Sequence, residues 1–171
     1  MNTKIKRIAK KVDLLITDVD GVLTDGGRYY SDEGEKLKRF HVRDGMAVNI
    51  LLRNKIKTII LTKEKSSITK KWAKDMNVTE VFSGFTEKEK ALELISKKYK
   101  ISIGNMAYIG DDVNDLQVLR DVGFSGVPND AVFQAKKIAD HVCKNKGGEG
   151  CFREFCDLIL LSKFASKTKW Y

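Results

Sequence analysis

Three short apolar runs, at residues 12–17 (VDLLIT), 58–61 (TIIL) and 106–109 (MAYI), each stop abruptly at polar residues or glycine. Runs of that length suit strands covered on both faces, the habit of parallel sheets. Between or after them, residues 46–53, 68–76, 91–99 and 116–122 carry apolar side chains at helical spacing. Strand alternating with helix predicts an α/β fold with a doubly wound, Rossmann-like and mainly parallel sheet. Weaker strands are expected at 80–82 and 123–126, and a last helix over 151–161. Residues 26–42 (GGRYYSDEGEKLKRFHV) break the alternation. Two β-like runs flank the turn Ser31-Asp32-Glu33-Gly34, which predicts a hairpin projecting from the sheet.

At 171 residues one domain is expected over 1–171, with the hairpin as a flap and 147–171 as a C-terminal tail. The formal charge of +9, from 32 Lys plus Arg against 23 Asp plus Glu, attracts anions. Nucleic acid, membrane surface and phosphorylated substrate all qualify by charge. The basic residues are nevertheless scattered, without a dense tract alternating with aromatics, so solvated helix faces account for most of them. Neither nucleic acid nor a membrane is expected as a partner. No apolar run reaches the ~20 residues of a membrane span, and Cys143, Cys151 and Cys156 lack C-x-x-C spacing. Buried free thiols in a cytoplasmic protein follow as the expectation.

In open α/β sheets ligands bind beyond the carboxyl ends of the strands. That rule selects Asp18 and Asp20 after the first strand, Thr62 after the second, and Asp111 with Asp112 after the third. Each alone reads as a helix cap or a solvated turn, and so does Asp115 in GDDVND. Gathered at one rim, such carboxylates repel strongly unless a cation sits among them. An all-oxygen donor set suits Mg²⁺, which also binds substrate phosphate. Lys88, in TEKEKALEL, could supply a further positive charge. Thr86 and Glu89 have capping-box spacing, which puts Lys88 in a first helical turn, where a cation is unfavourable.

DVDGVLTDG, the LT of IILTKE, Lys88 and GDDVND stand in the order and spacing of the haloacid dehalogenase superfamily, which the chain resembles over about residues 12–161. The resemblance implies Asp18 as the nucleophile that forms an aspartyl phosphate and Asp20 as general acid and base. It implies Mg²⁺ held by Asp18, the backbone carbonyl of Asp20, and Asp111, with Asp112 and Asp115 in support. Thr62 and Lys88 would bind the phosphoryl oxygens.

Larger relatives insert a cap domain, for which this chain has no room. It therefore resembles the capless branch, whose members form homotetramers with active sites at subunit interfaces. Within that branch VRDG (42–45) and GGEGCFREFCDLIL (147–160) look like the phosphatases of eight- and nine-carbon sugar acids. Arg43, Glu64, Gly148 and Glu149 would then contact substrate. Enzymes acting on 3-deoxy-manno-octulosonate 8-phosphate typically carry Thr-Gly-Arg after the second strand and GGRG in the tail, where this chain has Thr62-Lys63-Glu64 and GGEG. The glutamate favours a nine-carbon 2-keto-3-deoxy acid 9-phosphate, deaminoneuraminate or N-acylneuraminate, with the eight-carbon acid as the alternative. His41 reads either as a contact to a carboxylate substrate or as the end of the hairpin, and His141 is given no role. From another class, a phosphoacceptor signalling module would share the acidic residues, Thr, Lys and Mg²⁺ but lack an acid at Asp20.

Overall fold

The computed structural model describes residues 3–170. In chain order the elements are α1 (Thr3–Ala9), β1 (Leu14–Thr17), β2 (Tyr29–Ser31), β3 (Gly34–Leu37), α2 (Val42–Arg53), β4 (Lys57–Thr62), α3 (Ser67–Asp75), β5 (Glu80–Ser83), α4 (Glu89–Tyr99), β6 (Met106–Ile109), α5 (Leu116–Asp121), β7 (Phe124–Val127), α6 (Phe133–Ile138), β8 (His141–Val142) and α7 (Cys151–Phe164). The apolar runs form the centre of a six-stranded parallel sheet, ordered β5-β4-β1-β6-β7-β8. Every residue of β1, β6 and β7 is buried, as strands covered on both faces must be.

Alternation along each strand divides the core. Leu15, Ile60, Ala107 and Ile109 face α2 and α7, meeting Leu51, Phe152, Phe155 and Ile159. Leu14, Ile16, Ile59, Leu61 and Tyr108 face the other way, onto Leu92 and Ile95 of α4 and Leu119 of α5. Each such aliphatic side chain stabilises the fold by about 1.5–3 kcal/mol on burial. From β1 the chain proceeds to β4 and β5 on one side, then crosses to β6, β7 and β8 on the other. The carboxyl ends of β4, β1 and β6 therefore lie side by side, with Thr17 opposite both Ile60 and Ile109.

The foreseen strands are present, and β2 with β3 forms the hairpin around the turn at Asp32 and Glu33. Phe40 stacks on Trp72 with ring centroids 4.7 Å apart, and the Ser66 hydroxyl donates to Glu35 at 2.9 Å. These contacts fold the hairpin back over the end of the sheet. Helix α2 starts four residues before the apolar spacing implied, because His41 caps it: Nδ1 accepts from the Arg43 N–H at 3.3 Å. Three elements were not foreseen, namely α1, α6 and the edge strand β8, which contains His141. Expected as part of a helix, Lys88 instead stands one residue before α4, and Thr86 does not cap it. Among the described residues no helix is long and apolar enough to cross a membrane. Cys143, Cys151 and Cys156 are buried free thiols, as expected.

Candidate active site

The Asp18 N–H donates to the Ile109 carbonyl at 3.0 Å, extending the parallel ladder by one residue and fixing Asp18 at the seam between β1 and β6. The chain then winds tightly, the amides of Val22, Leu23 and Thr24 all pointing at the Val19 carbonyl. Gly21 sits in this turn at φ +87°, and a Cβ there would lie 2.1 Å from Asp111 Oδ2. Only glycine lets the loop after β1 come so close to the loop after β6.

Lys88 is fully buried beneath this seam. Its Nζ lies 2.9 Å from Asp18 Oδ2 and 2.7 Å from Asp115 Oδ1, and donates to the Tyr108 hydroxyl at 3.3 Å. Tyr108 in turn donates to Asp115 Oδ1 at 2.6 Å. The second Asp115 oxygen accepts the backbone N–H groups of Asp111 at 2.9 Å and Asp112 at 3.3 Å. Asp112 and Asp115 also form a reciprocal cap on the short 3₁₀ turn Val113–Asp115. Asp115 thus ties the loop that carries Asp111 to the buried lysine.

Asp18, Asp111 and Asp115 each present an oxygen within 4.8 Å of the others. Among the described residues Asp111 Oδ1 is a buried oxygen with no hydrogen-bond partner. Burial pushes the Asp18 carboxyl up to about 6, with Lys88 acting against the rise. Burial, reinforced by Asp18, Asp115 and Asp112, pushes Asp111 up to about 8. Burial disfavours the Lys88 ammonium, but Asp18 and Asp115 outweigh it and raise that group. The orphaned oxygen and the excess of carboxylates over cations fit an additional hard cation, and the donors are all oxygen, as Mg²⁺ prefers.

Asp20 stands at the mouth of the site. Lys38, from the end of the hairpin, donates to both its oxygens at 2.7 and 2.9 Å, and Arg28 donates to Oδ2 at 3.1 Å. Arg28 also lies 3.6 Å from Glu64. Buried Thr62 ends β4, its hydroxyl accepting from the Glu64 N–H at 3.3 Å. A cleft of about 230 Å³ is lined by Asp18, Asp20, Thr62, Lys88, Asp111 and Asp112, with Arg28, Lys63, Glu64 and Asn114 on its walls.

Nearly all the residues chosen from the sequence therefore converge. Arg43, Gly148 and Glu149 do not join them within this chain. Arg43 and Glu149 line a second cleft beside the start of α7, with Arg153 and Glu154. Gly148 is not among the residues lining the acidic cleft and braces the β1 loop, its N–H donating to the Val22 carbonyl at 2.9 Å. Arg28, Lys38 and Tyr108 were missed. Lys38 and Arg28 gave no local signal, and Tyr108 was read only as part of an apolar strand.

The family model for haloacid dehalogenase-like hydrolases matches residues 29–154. A 3-deoxy-D-manno-octulosonate 8-phosphate phosphatase of Haemophilus influenzae is 39% identical over 159 residues, covering 93% of this chain and 88% of its own. The crystal structure of a phosphatase with the same name from Yersinia pestis superposes with a TM-score of 0.93 at 34% identity, over 96% of this chain and 89% of that one. Another, from Moraxella catarrhalis, was solved with a magnesium ion, a phosphate ion and a KDO molecule. It gives a TM-score of 0.92 at 34% identity over 95% and 94% of the two chains.

Proposed function

Because the chain belongs to the haloacid dehalogenase-like hydrolases, we propose that it is a Mg²⁺-dependent phosphatase whose substrate is 3-deoxy-D-manno-octulosonate 8-phosphate. The observation that carries the chemistry is the convergence of Asp18, Asp111 and Asp115 on buried Lys88, with Asp20 at the cleft mouth. Asp18 attacks phosphorus: an oxygen–phosphorus bond forms, the ester bond breaks, and the departing sugar oxygen takes a proton from Asp20. Water then attacks the aspartyl phosphate while Asp20 accepts its proton, releasing phosphate and restoring Asp18. Asp18, the Asp20 backbone carbonyl and Asp111 would hold Mg²⁺, which supplies positive charge for the phosphoryl oxygens. Thr62 and Lys88 bind those oxygens, and Lys88 also fixes the rotamer of Asp18. Asp115 holds the Asp111 loop in register, and Asp112 caps the turn behind it.

The eight-carbon substrate rests on the relatives that align over nearly the whole chain. One observation favours the nine-carbon acids as a second reading: Glu64 lines the cleft, 3.6 Å from Arg28, where the eight-carbon enzymes typically carry arginine. Asp20 argues against a phosphoacceptor module, since it equips the site to discharge its own intermediate. A homotetramer would bring Arg43 and Glu149 to a neighbour's cleft, and the exposed Tyr29, Tyr30 and Leu37 of the hairpin would supply apolar contact area.

Phosphate release with Mg²⁺ is the test, over 3-deoxy-D-manno-octulosonate 8-phosphate, nine-carbon 9-phosphates and nucleotides. The eight-carbon acid is expected to give the highest kcat/KM, and a clear preference for a nine-carbon acid would transfer the assignment. Asp18→Asn is expected to abolish turnover, and an active variant would remove the assigned nucleophile.

A further inference from the structure

Edge strand β8, the residue that follows it and helix α7 bring together a second cluster of metal-binding groups, outside the acidic cleft. His141 and Cys143 are two residues apart on extended chain, so their side chains leave the same face. That face meets the first turn of α7, where Glu154 points back at them. His141 Nε2, Cys143 Sγ and a Glu154 oxygen all lie within 4.8 Å of one another, with His141 Nε2 3.9 Å from Glu154 Oε1. His141 Nε2 is buried and has no hydrogen-bond partner among the described residues. The ring is held from one side by Phe155, at 6.3 Å between centroids. The Cys143 thiol makes only a long contact, donating to the Cys151 carbonyl at 3.6 Å. Glu154 is fixed by the Lys144 N–H, at 2.9 and 3.0 Å to its two oxygens, and by the Asn145 N–H at 3.0 Å. Oε2 accepts two of these bonds and Oε1 only one, so Oε1, the oxygen nearer His141, keeps a lone pair free.

We propose that His141, Cys143 and Glu154 form a Zn²⁺ site that clamps the 143–150 segment to α7. One nitrogen, one thiolate and one carboxylate are the donors of a tetrahedral zinc centre, and the mixed set does not suit Mg²⁺. Bonds of about 2.0–2.3 Å place tetrahedral ligands roughly 3.3–3.8 Å apart, so the cluster needs only a small contraction. Three protein donors leave the fourth tetrahedral position to a water molecule. Binding breaks the weak Cys143–Cys151 contact and releases the thiol proton to solvent. The clamped segment includes Gly148, whose N–H holds the Val22 carbonyl behind the catalytic loop. An ion bound there would steady that loop from behind.

The test uses the full chain, stripped with chelator and titrated with Co²⁺ under excess Mg²⁺, which competes for the acidic cleft, and reads the thiolate band that an all-oxygen site does not give. One equivalent of Co²⁺ is expected to bind with a thiolate-to-cobalt charge-transfer band, and Zn²⁺ is expected to displace it. Cys143→Ser is expected to remove the band and Cys151→Ser to keep it. His141→Gln and Glu154→Gln leave the buried thiol in place and are each expected to weaken Co²⁺ binding by at least about tenfold. Absence of a thiolate band, its survival in Cys143→Ser, or unchanged affinity in both Gln variants would overturn the site. None of these outcomes depends on phosphatase activity, so this inference and the proposed function stand or fall separately.

Discussion

Replacing Lys88 by methionine keeps the length and apolar stem of the side chain and removes its charge. The ammonium is fully buried, 2.9 Å from Asp18 and 2.7 Å from Asp115, so the variant leaves carboxylates facing one another without a protein cation. Removing one partner from a buried ion pair costs about 3–5 kcal/mol, a fall in Tm of roughly 6–20 °C for a chain of this size. The loss should depend on pH in a defined direction. The folded chain already holds the Asp18 proton up to about pH 6 and the Asp111 proton up to about pH 8, burial being the first cause for each. Both groups therefore bind protons more tightly folded than unfolded, and stability declines as pH rises from about 4 through those values. Lys88 opposes the rise at Asp18, so its removal widens that window. Urea unfolding in chelator should show a small difference between Lys88→Met and wild type near pH 5, where the carboxyls take protons, and the full difference above about pH 8. Mg²⁺ added at the higher pH should restore more stability to the variant than to wild type. A loss equal at both pH values, or below about 1 kcal/mol at the higher one, as for an exposed pair, would refute the reasoning.

Gly21→Ala should separate the site from the fold. The new methyl would lie 2.1 Å from Asp111 Oδ2 at φ +87°. It should cost about 1–2 kcal/mol in unfolding free energy but at least roughly a hundredfold in kcat/KM by displacing Asp111, and full activity would contradict the assignment. Asp44 is buried with Oδ1 accepting the Arg153 N–H at 2.8 Å and Oδ2 without a hydrogen-bond partner among the described residues, and burial raises it from 3.8 to about 7. Asp44→Asn should be the more stable protein at pH 8, by up to about 4 kcal/mol less about 1–3 for an unpaired amide N–H. That advantage should vanish near pH 4, and a pH-independent difference in denaturant melts would exclude the cause given. Inorganic phosphate, followed by calorimetry, should bind with Mg²⁺ present and become undetectable in chelator, and equal affinity in both conditions would contradict the charge balance of the cleft.

Strand positions were legible because burial on both faces demands unbroken apolar runs, and few other local structures tolerate LLIT or MAYI. The elements left unseen lack that signature. Strand β8 spans only His141 and Val142 and is neither fully buried nor patterned. Helix α6 has six residues, with Ala135 its one buried side chain, so no helical stripe could emerge. The early start of α2 was hidden by Asp44 and Gly45, an acid and a glycine that add nothing to an apolar helical stripe and have low helix propensity. Both are buried, because Asp44 accepts the Arg153 N–H in the first turn of α7 rather than facing water. A tertiary contact overrode the local preference.

The same distinction separates the parts of the cleft that could be read from those that could not. Asp18, Thr62 and Asp111 follow from topology alone, since a parallel sheet that reverses its winding at β1 must bring those three strand ends together. Arg28 and Lys38 reach Asp20 because the hairpin folds back through Phe40 on Trp72 and Glu35 on Ser66, contacts between segments with no sequence relation. Lys88 was legible as a conflict with the helix dipole. Its resolution is that the lysine lies just outside α4 and is spent on Asp18 and Asp115. Three carboxylates share that one ammonium, and once all three are ionised the two negative charges left over match one divalent cation. A phosphate dianion approaching the metal-free cleft meets net repulsion despite the chain's overall charge of +9, because Lys38, Arg28 and Lys88 are already committed to carboxylates. The long-range field of the surface lysines can draw the substrate near, but the local balance requires a divalent ion to be bound before phosphorus can come within reach of Asp18.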